Sequence, residues 1–424
     1  MNFQIMQENI EKIIKRLATD ILSNFPNAEK VNVYKGSAGE ALLFSLLCKY
    51  EPADANQNHL YNSISHCINN IKTLEGNASL SGYSGVLLTL SILLWENQLE
   101  QQEIQEVLNV LQNLVIESIP IDFQTFNLDF LHGLTGKLIV LTESKKLFGD
   151  DIKFLVEENI IKGIEYIVNN AKHINNREEI FWENQYTSKD IINTGLAHGL
   201  AGVINFLARA YGYDFIDNNL KQKIKDCLFS ACNFLINRRS LDHSHFTFLN
   251  KLSISGKKLN TAQYYLAWCN GDLGIVFSLI EANKCLKSEK LDGIIHSIIK
   301  SVSKVRKFNS GIRQDTLRLD TTLCHGSFGA FFWFYLLYKS TKITEAKNAY
   351  FYWLNESLSQ IDWNKKLLGL SHCNIDPVTG SQEWDQANGF LFGATGQCLC
   401  LLSFLLLERD TVKVQHLNWL KFLF

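Results

Sequence analysis

Residues 326–338, GSFGAFFWFYLLY, hold two glycines three apart and then nine residues of which eight are aromatic or aliphatic and the other is alanine. A segment that is apolar almost all round, with no β-turn signal inside it, reads as a buried helix. The glycine pair recurs, each time with an apolar run behind it: Gly36/Gly39, Gly82/Gly85, Gly133/Gly136, Gly199/Gly202, Gly271/Gly274 and Gly393/Gly396. One Gly-x-x-Gly is a chance event, but seven followed by stretches such as GVLLTLSILLW (85–95) form an internal repeat. Successive first glycines lie 46 to 72 residues apart, so the unit is a supersecondary element with loops of variable length.

Each interval also holds a second, amphipathic and charged segment, as at 59–74, 104–118, 221–239 and 291–307. An inner ring of buried helices inside an outer amphipathic ring follows. The predicted fold is all-α: an α/α toroid with seven inner and about seven outer helices, formed by residues 1–424 as one domain. The seventh outer place falls to the N-terminal helix (about 3–23) or to a C-terminal one (about 411–423). Polar excursions at 240–262 and 361–389 interrupt the pattern; the first reads as a small strand-like element, the second as a long loop. Loops of that length in a compact fold usually serve function.

Composition narrows the classes further. Forty-one basic against 43 acidic residues, a net charge of −2, argue against nucleic acid held by bulk electrostatics. Four prolines in 424 residues leave long stretches free for helices. The N-terminus shows no apolar core with a small-residue cleavage site, and the apolar runs fall short of the ~20 residues a membrane span needs. A cytoplasmic protein without a transmembrane segment is expected, and its ten cysteines are then thiols rather than a disulfide framework.

If the repeats are equivalent, residues at one offset from the first glycine occupy equivalent places around one rim. One position before it stand Lys35, Ser81, His132, His198, Asn270, His325 and Phe392; two before it, Tyr34, Leu80, Leu131, Ala197, Cys269, Cys324 and Leu391. Cys269, Cys324 and His325 therefore fall on the neighbouring fifth and sixth repeats. Two thiolates and one imidazole form a catalytic zinc pattern, three protein ligands with a fourth place open to water or substrate. Taken singly, each is as well explained as a buried thiol or a helix cap; the shared register is what favours the metal. The remaining cysteines sit inside helices, apart from Cys373, which beside His372 is a minor rival ligand.

The motifs AWCNG (267–271), LCHG (323–326) and GLAHG (195–199), with the sevenfold Gly-x-x-Gly helices, closely resemble the LanC lanthionine synthetases, the lanthipeptide cyclases, from Gly36 to beyond Gly393. The resemblance implies a zinc enzyme that closes lanthionine and methyllanthionine thioether rings by Michael addition of precursor cysteines to dehydroalanine or dehydrobutyrine. It maps zinc onto Cys269, Cys324 and His325, the catalytic histidine onto His198 and its aspartate partner onto Asp129. It also implies a dehydrated precursor peptide as substrate, and a separate dehydratase and an exporter as partners in a complex at the inner membrane face.

Two positions depart from the family pattern. Tyr265 stands where many members carry arginine, and Asn270 where tyrosine is common. Either Tyr265 supplies a hydrogen bond to the enolate, or another cation among Arg313, Arg318 and Lys257 reaches it. His132 is a third rim histidine to which the pattern gives no role. The alternatives left open are a non-catalytic relative that holds zinc and binds thiol peptides, and a relative that adds glutathione to dehydrated residues. The rim offers no carboxylate pair, which counts against a glycosidase.

Overall fold

The computed structural model describes residues 3–423 apart from 25–29, 75, 77, 79, 175–177, 184–189, 241–244 and 377–378. Parts of both excursions, 241–244 and 377–378, thus lie outside the described residues, as do the first two residues and the last. The described α-helices are α1 (Phe3–Asn24), α2 (Ser37–Tyr50), α3 (Asp54–Asn69), α4 (Tyr83–Trp95), α5 (Gln101–Thr125), α6 (Leu134–Ser144), α7 (Asp150–Asn169), α8 (Leu200–Tyr211), α9 (Asn218–Asn237), α10 (Asp272–Leu286), α11 (Glu289–Val302), α12 (Ser327–Thr341), α13 (Thr344–Leu358) and α14 (Ala394–Glu408).

Every even-numbered helix begins directly behind a first glycine of the repeat, which caps it with extended backbone. These helices bury almost every side chain; α12 is buried without interruption from Ser327 to Leu337. Each packs on the next, and α14 packs back on α2, so the inner ring closes as an α/α toroid. Helices α3, α5, α7, α9, α11 and α13 each cover the inner helix that precedes them, and α1 covers α14. The N-terminal helix is therefore the seventh outer member.

The segment 411–423 is not an outer helix. It forms two short 3₁₀ turns, Val414–His416 and Asn418–Phe422, that enter the middle of the ring. Trp419 stacks on Phe332 of α12 and donates to Ser403 of α14, and the Trp268 indole donates to the Leu423 carbonyl at 2.9 Å. Seven helices around one axis leave a central gap, and Trp419, Leu420, Phe422 and Leu423, all buried, fill it. Pro120, expected to break helices, lies inside α5, whose last five residues run on beyond it.

The glycines serve close approach. A Cβ on Gly271 or Gly274 would overlap the carbonyl of Tyr265 or Trp268, six residues earlier, so the chain can double back on itself only without side chains there. That tight reversal places the residues just ahead of each glycine at one level, and backbone hydrogen bonds join them around the rim. Tyr34 N–H donates to the Leu80 carbonyl, Leu131 to Ala197, Ala197 to Cys269, Trp268 to Cys324, Cys324 to Leu391 and Phe390 to Tyr34, at 2.9–3.3 Å.

Three antiparallel two-stranded pairs decorate the helices: β1 (Lys172–Ile174) with β2 (Glu179–Phe181), β3 (Ile191–Asn193) with β4 (Lys251–Ser253), and β5 (His372–Ile375) with β6 (Gln382–Asp385). The 240–262 excursion contributes β4. The 361–389 segment, expected as a loop, carries the β5–β6 hairpin; such short strands of mixed polarity are marginal alone, and β5 is anchored to the rim by the Cys373 N–H donating to Asp320 and by His372 stacking on Phe392. Among the described residues no helix is long and apolar enough to cross a membrane.

Candidate active site

The N-termini of the inner helices surround a cavity of about 480 Å³. Of the fourteen positions one and two residues ahead of the glycines, all but Lys35 and Ala197 line it. Asn250, Tyr265, Ala267, Gly311 and Arg313 complete the wall.

Cys269, Cys324 and His325 come together on this wall, with ligand atoms all within 4.8 Å of one another. The Cys269 Sγ lies 4.0 Å from His325 Nδ1. Both cysteines are buried. The Cys324 thiol donating to Cys269, together with the nearby His325, holds Cys269 well below the usual thiol range. Burial and the Cys269 charge push Cys324 well above it. Burial opposes an imidazolium at His325, but Cys269 and Asp320 outweigh it and raise its pKa. The set thus competes for protons that a soft cation would displace, and its donor types and spacing suit tetrahedral zinc.

Asp320, which sequence reasoning missed, stands behind the set. Its fully buried carboxylate accepts the N–H groups of Thr322 (2.9 Å) and Cys373 (3.0 Å) and lies 3.7 Å from His325 Nε2. A carboxylate behind the outer nitrogen of a ligating histidine orients the ring and raises its basicity. The available signal was Asp320's place six residues before Gly326, where Asn127 and Asn193 precede Gly133 and Gly199.

Asp129 and His198 also meet. The His198 Nδ1–H donates to Asp129 Oδ2 at 2.7 Å, while Asp129 Oδ1 accepts the N–H groups of Leu131 (2.7 Å) and His132 (2.8 Å). Burial disfavours a charged His198, but the hydrogen bond and charge of Asp129 outweigh it and raise its pKa. The His132 ring lies parallel to that of His198, centroids 5.4 Å apart and planes 16° apart.

Tyr265 lines the cavity, but its hydroxyl donates to Gln263. Of the three candidate cations, only Arg313 is on the wall. The Leu266 N–H donates to the Ser310 carbonyl, and Gly311, at φ +72°, lets the chain pass close over Tyr264 and Tyr265. Arg313 then donates to the Cys373 carbonyl and faces Cys324, His325 and Tyr265. Arg318 instead pairs with Asp315 and covers Trp384. Cys373 turns its sulfur toward the Asn374 carbonyl and is not part of the ligand cluster.

The rim of this toroid thus carries a Cys2His cluster and a His–Asp pair on one cavity wall. The family described as lanthionine synthetase C-like protein matches residues 27–417, and the chain belongs to it. The nisin biosynthesis protein NisC of Lactococcus lactis subsp. lactis is 23% identical over 358 residues, covering 78% of this chain and 79% of that one. The solved structure titled nisin cyclase superposes with a TM-score of 0.65 at 20% identity, over 99% of this chain and 97% of the other. A cellobiose 2-epimerase from Bacillus thermoamylovorans B4167 aligns at 12% identity, over 89% of both chains, with a TM-score of only 0.42.

Proposed function

We propose that this protein is a zinc-dependent lanthipeptide cyclase that adds precursor-peptide cysteine thiols to dehydroalanine or dehydrobutyrine, forming lanthionine and methyllanthionine rings. The observation that carries the reading is the Cys269–Cys324–His325 cluster on one cavity wall with the His198–Asp129 pair. In this reading the three cluster residues hold zinc, which supplies a Lewis-acid charge that favours an ionised substrate thiol at neutral pH.

The chain's own residues do the rest. Attack of sulfur on the β-carbon moves the C=C electron pair toward the carbonyl, giving an enolate that needs a proton at the α-carbon. His198, kept protonated by Asp129, donates it and is reprotonated from solvent, which received the thiol proton. Arg313 offsets the negative charge of the thiolates. Tyr265, its own proton engaged by Gln263, shapes the wall. The substrate is a dehydrated precursor peptide, delivered in the cytoplasm by a separate dehydratase and passed to an exporter at the inner membrane face.

The test uses a synthetic peptide with one dehydroalanine and one cysteine. Ring closure leaves its mass unchanged and removes its reactive thiol. The wild type should accelerate that loss, and His198→Asn should slow it roughly 10²-fold or more while keeping zinc. No acceleration by the zinc-loaded wild type would refute the reading, as would addition of glutathione to the peptide in place of ring closure.

A further inference from the structure

We propose that His132 is a third catalytic group, a neutral imidazole whose ring N–H donates to the carbonyl oxygen of the dehydrated residue and stabilises the enolate. The inference rests on the cyclase reading and extends it to a residue that reading does not use.

The rim presents its chemistry in a fixed order. His132 belongs to the third repeat, His198 to the fourth, Cys269 to the fifth, and Cys324 and His325 to the sixth. Backbone hydrogen bonds from Leu131 to Ala197, Ala197 to Cys269 and Trp268 to Cys324 lock that order in space. A conjugated acceptor has its own order: β-carbon, α-carbon, carbonyl oxygen. With the β-carbon at the thiol-binding cluster and the α-carbon at His198, the next group along the wall, His132, meets the oxygen. The α-carbon and that oxygen are about 2.4 Å apart. Two near-parallel rings with centroids 5.4 Å apart can reach two such atoms together.

His132 is suited to donate without carrying charge. Its backbone N–H is fixed by Asp129 Oδ1, and its carbonyl accepts from the Asn127 side chain, so its position is set by the same carboxylate that holds His198. Its ring lines the cavity and has no hydrogen-bond partner among the described residues. Loss of solvation, helped by the neighbouring His198 charge and opposed by Asp129, lowers its pKa, so at neutral pH one ring nitrogen keeps its proton as a donor. His132 and His198 are thus two like groups with opposite pKa shifts, an arrangement that separates a proton donor from a neutral electrophile. Arg313 does not compete for this place, since it faces Cys324 and His325 three repeats away.

The bonds balance. The S–Cβ bond forms, the C=C pair moves to give a C–O⁻ enolate held by the His132 N–H, and the pair returns as His198 protonates the α-carbon. His132 loses no proton over the cycle.

The experiment compares wild type, His132→Phe and His132→Gln on the same dehydroalanine–cysteine peptide, with zinc content and thermal unfolding checked for each. Loss of one oxyanion donor should lower kcat about 10²–10³-fold in His132→Phe. KM should change little, and His132→Gln, which keeps an N–H donor, should recover much of the rate. A folded, zinc-loaded His132→Phe that closes the ring at the wild-type kcat overturns the assignment and leaves the cyclase reading standing. A His132→Gln as slow as His132→Phe also overturns it, and a wild type without ring-closing activity overturns both.

Discussion

Replacing Asp129 by asparagine removes one charge and changes little in shape, which isolates what the carboxylate does for His198. The carboxylate side chain is fully buried and 2.7 Å from His198 Nδ1, whose own side chain is 32% exposed. Burial disfavours the imidazolium, and the hydrogen bond and charge of Asp129 outweigh it. Without the carboxylate only the Cys269 charge opposes burial, so His198 should fall from above its ordinary value to below it. General-acid catalysis contributes about 10²–10⁴-fold, so ring closure at pH 7 should slow by roughly 10²-fold or more. The assay is NMR titration of labelled histidine alongside the pH dependence of ring closure. Asp129→Asn should lose most activity at pH 7 and regain part of it near pH 5. The stability consequence has a definite sign. Because folding raises the His198 pKa, the pair's contribution is complete below the unfolded value of about 6.5 and is lost as pH rises through the folded value. Asp129→Asn should flatten that part of the stability curve. An unchanged His198 titration in the variant would refute the reasoning.

Asp320→Asn should weaken zinc binding about 10- to 100-fold, measured by competition with a chelator, because His325 loses the carboxylate behind Nε2; unchanged affinity would deny Asp320 that role. Gly195→Ala should disturb the same cluster from the other side. A Cβ there would lie 2.5 Å from the Cys269 carbonyl oxygen and 2.6 Å from the Asn270 Cα, so about 1–3 kcal/mol of unfolding free energy and part of the zinc affinity should be lost in denaturant and chelator titrations. A Gly195→Ala protein as stable and as tightly zinc-binding as wild type would show that this contact yields freely.

Much of the architecture was legible because each repeat writes the same instruction: a glycine that lets the chain double back, then an apolar helix. Register around a closed ring turns offset into location, which is why Cys269, Cys324, His325, His198 and His132 could be placed on one rim from sequence. Asp320 escaped, and Arg313 could be offered only as one of three cations with Arg318 and Lys257, because both reach the site along loops whose paths are set elsewhere. Asp320 is fixed by Thr322 and Cys373, and Arg313 is brought in by Gly311 and Ser310. The pairing of β3 with β4 joins residues about 60 positions apart, beyond any local pattern. Residues 411–423 carry enough apolar side chains for a helix, but the central gap that claims Trp419, Leu420, Phe422 and Leu423 exists only once the ring has closed.

The measurement that bears most directly on the account is zinc content by elemental analysis of metal-replete wild type and of Cys269→Ala. One zinc per chain in the wild type, and none in a variant that keeps its helical signal, is the expected result. Zinc absent from the wild type, or retained in full by Cys269→Ala, would contradict a Cys269–Cys324–His325 metal centre.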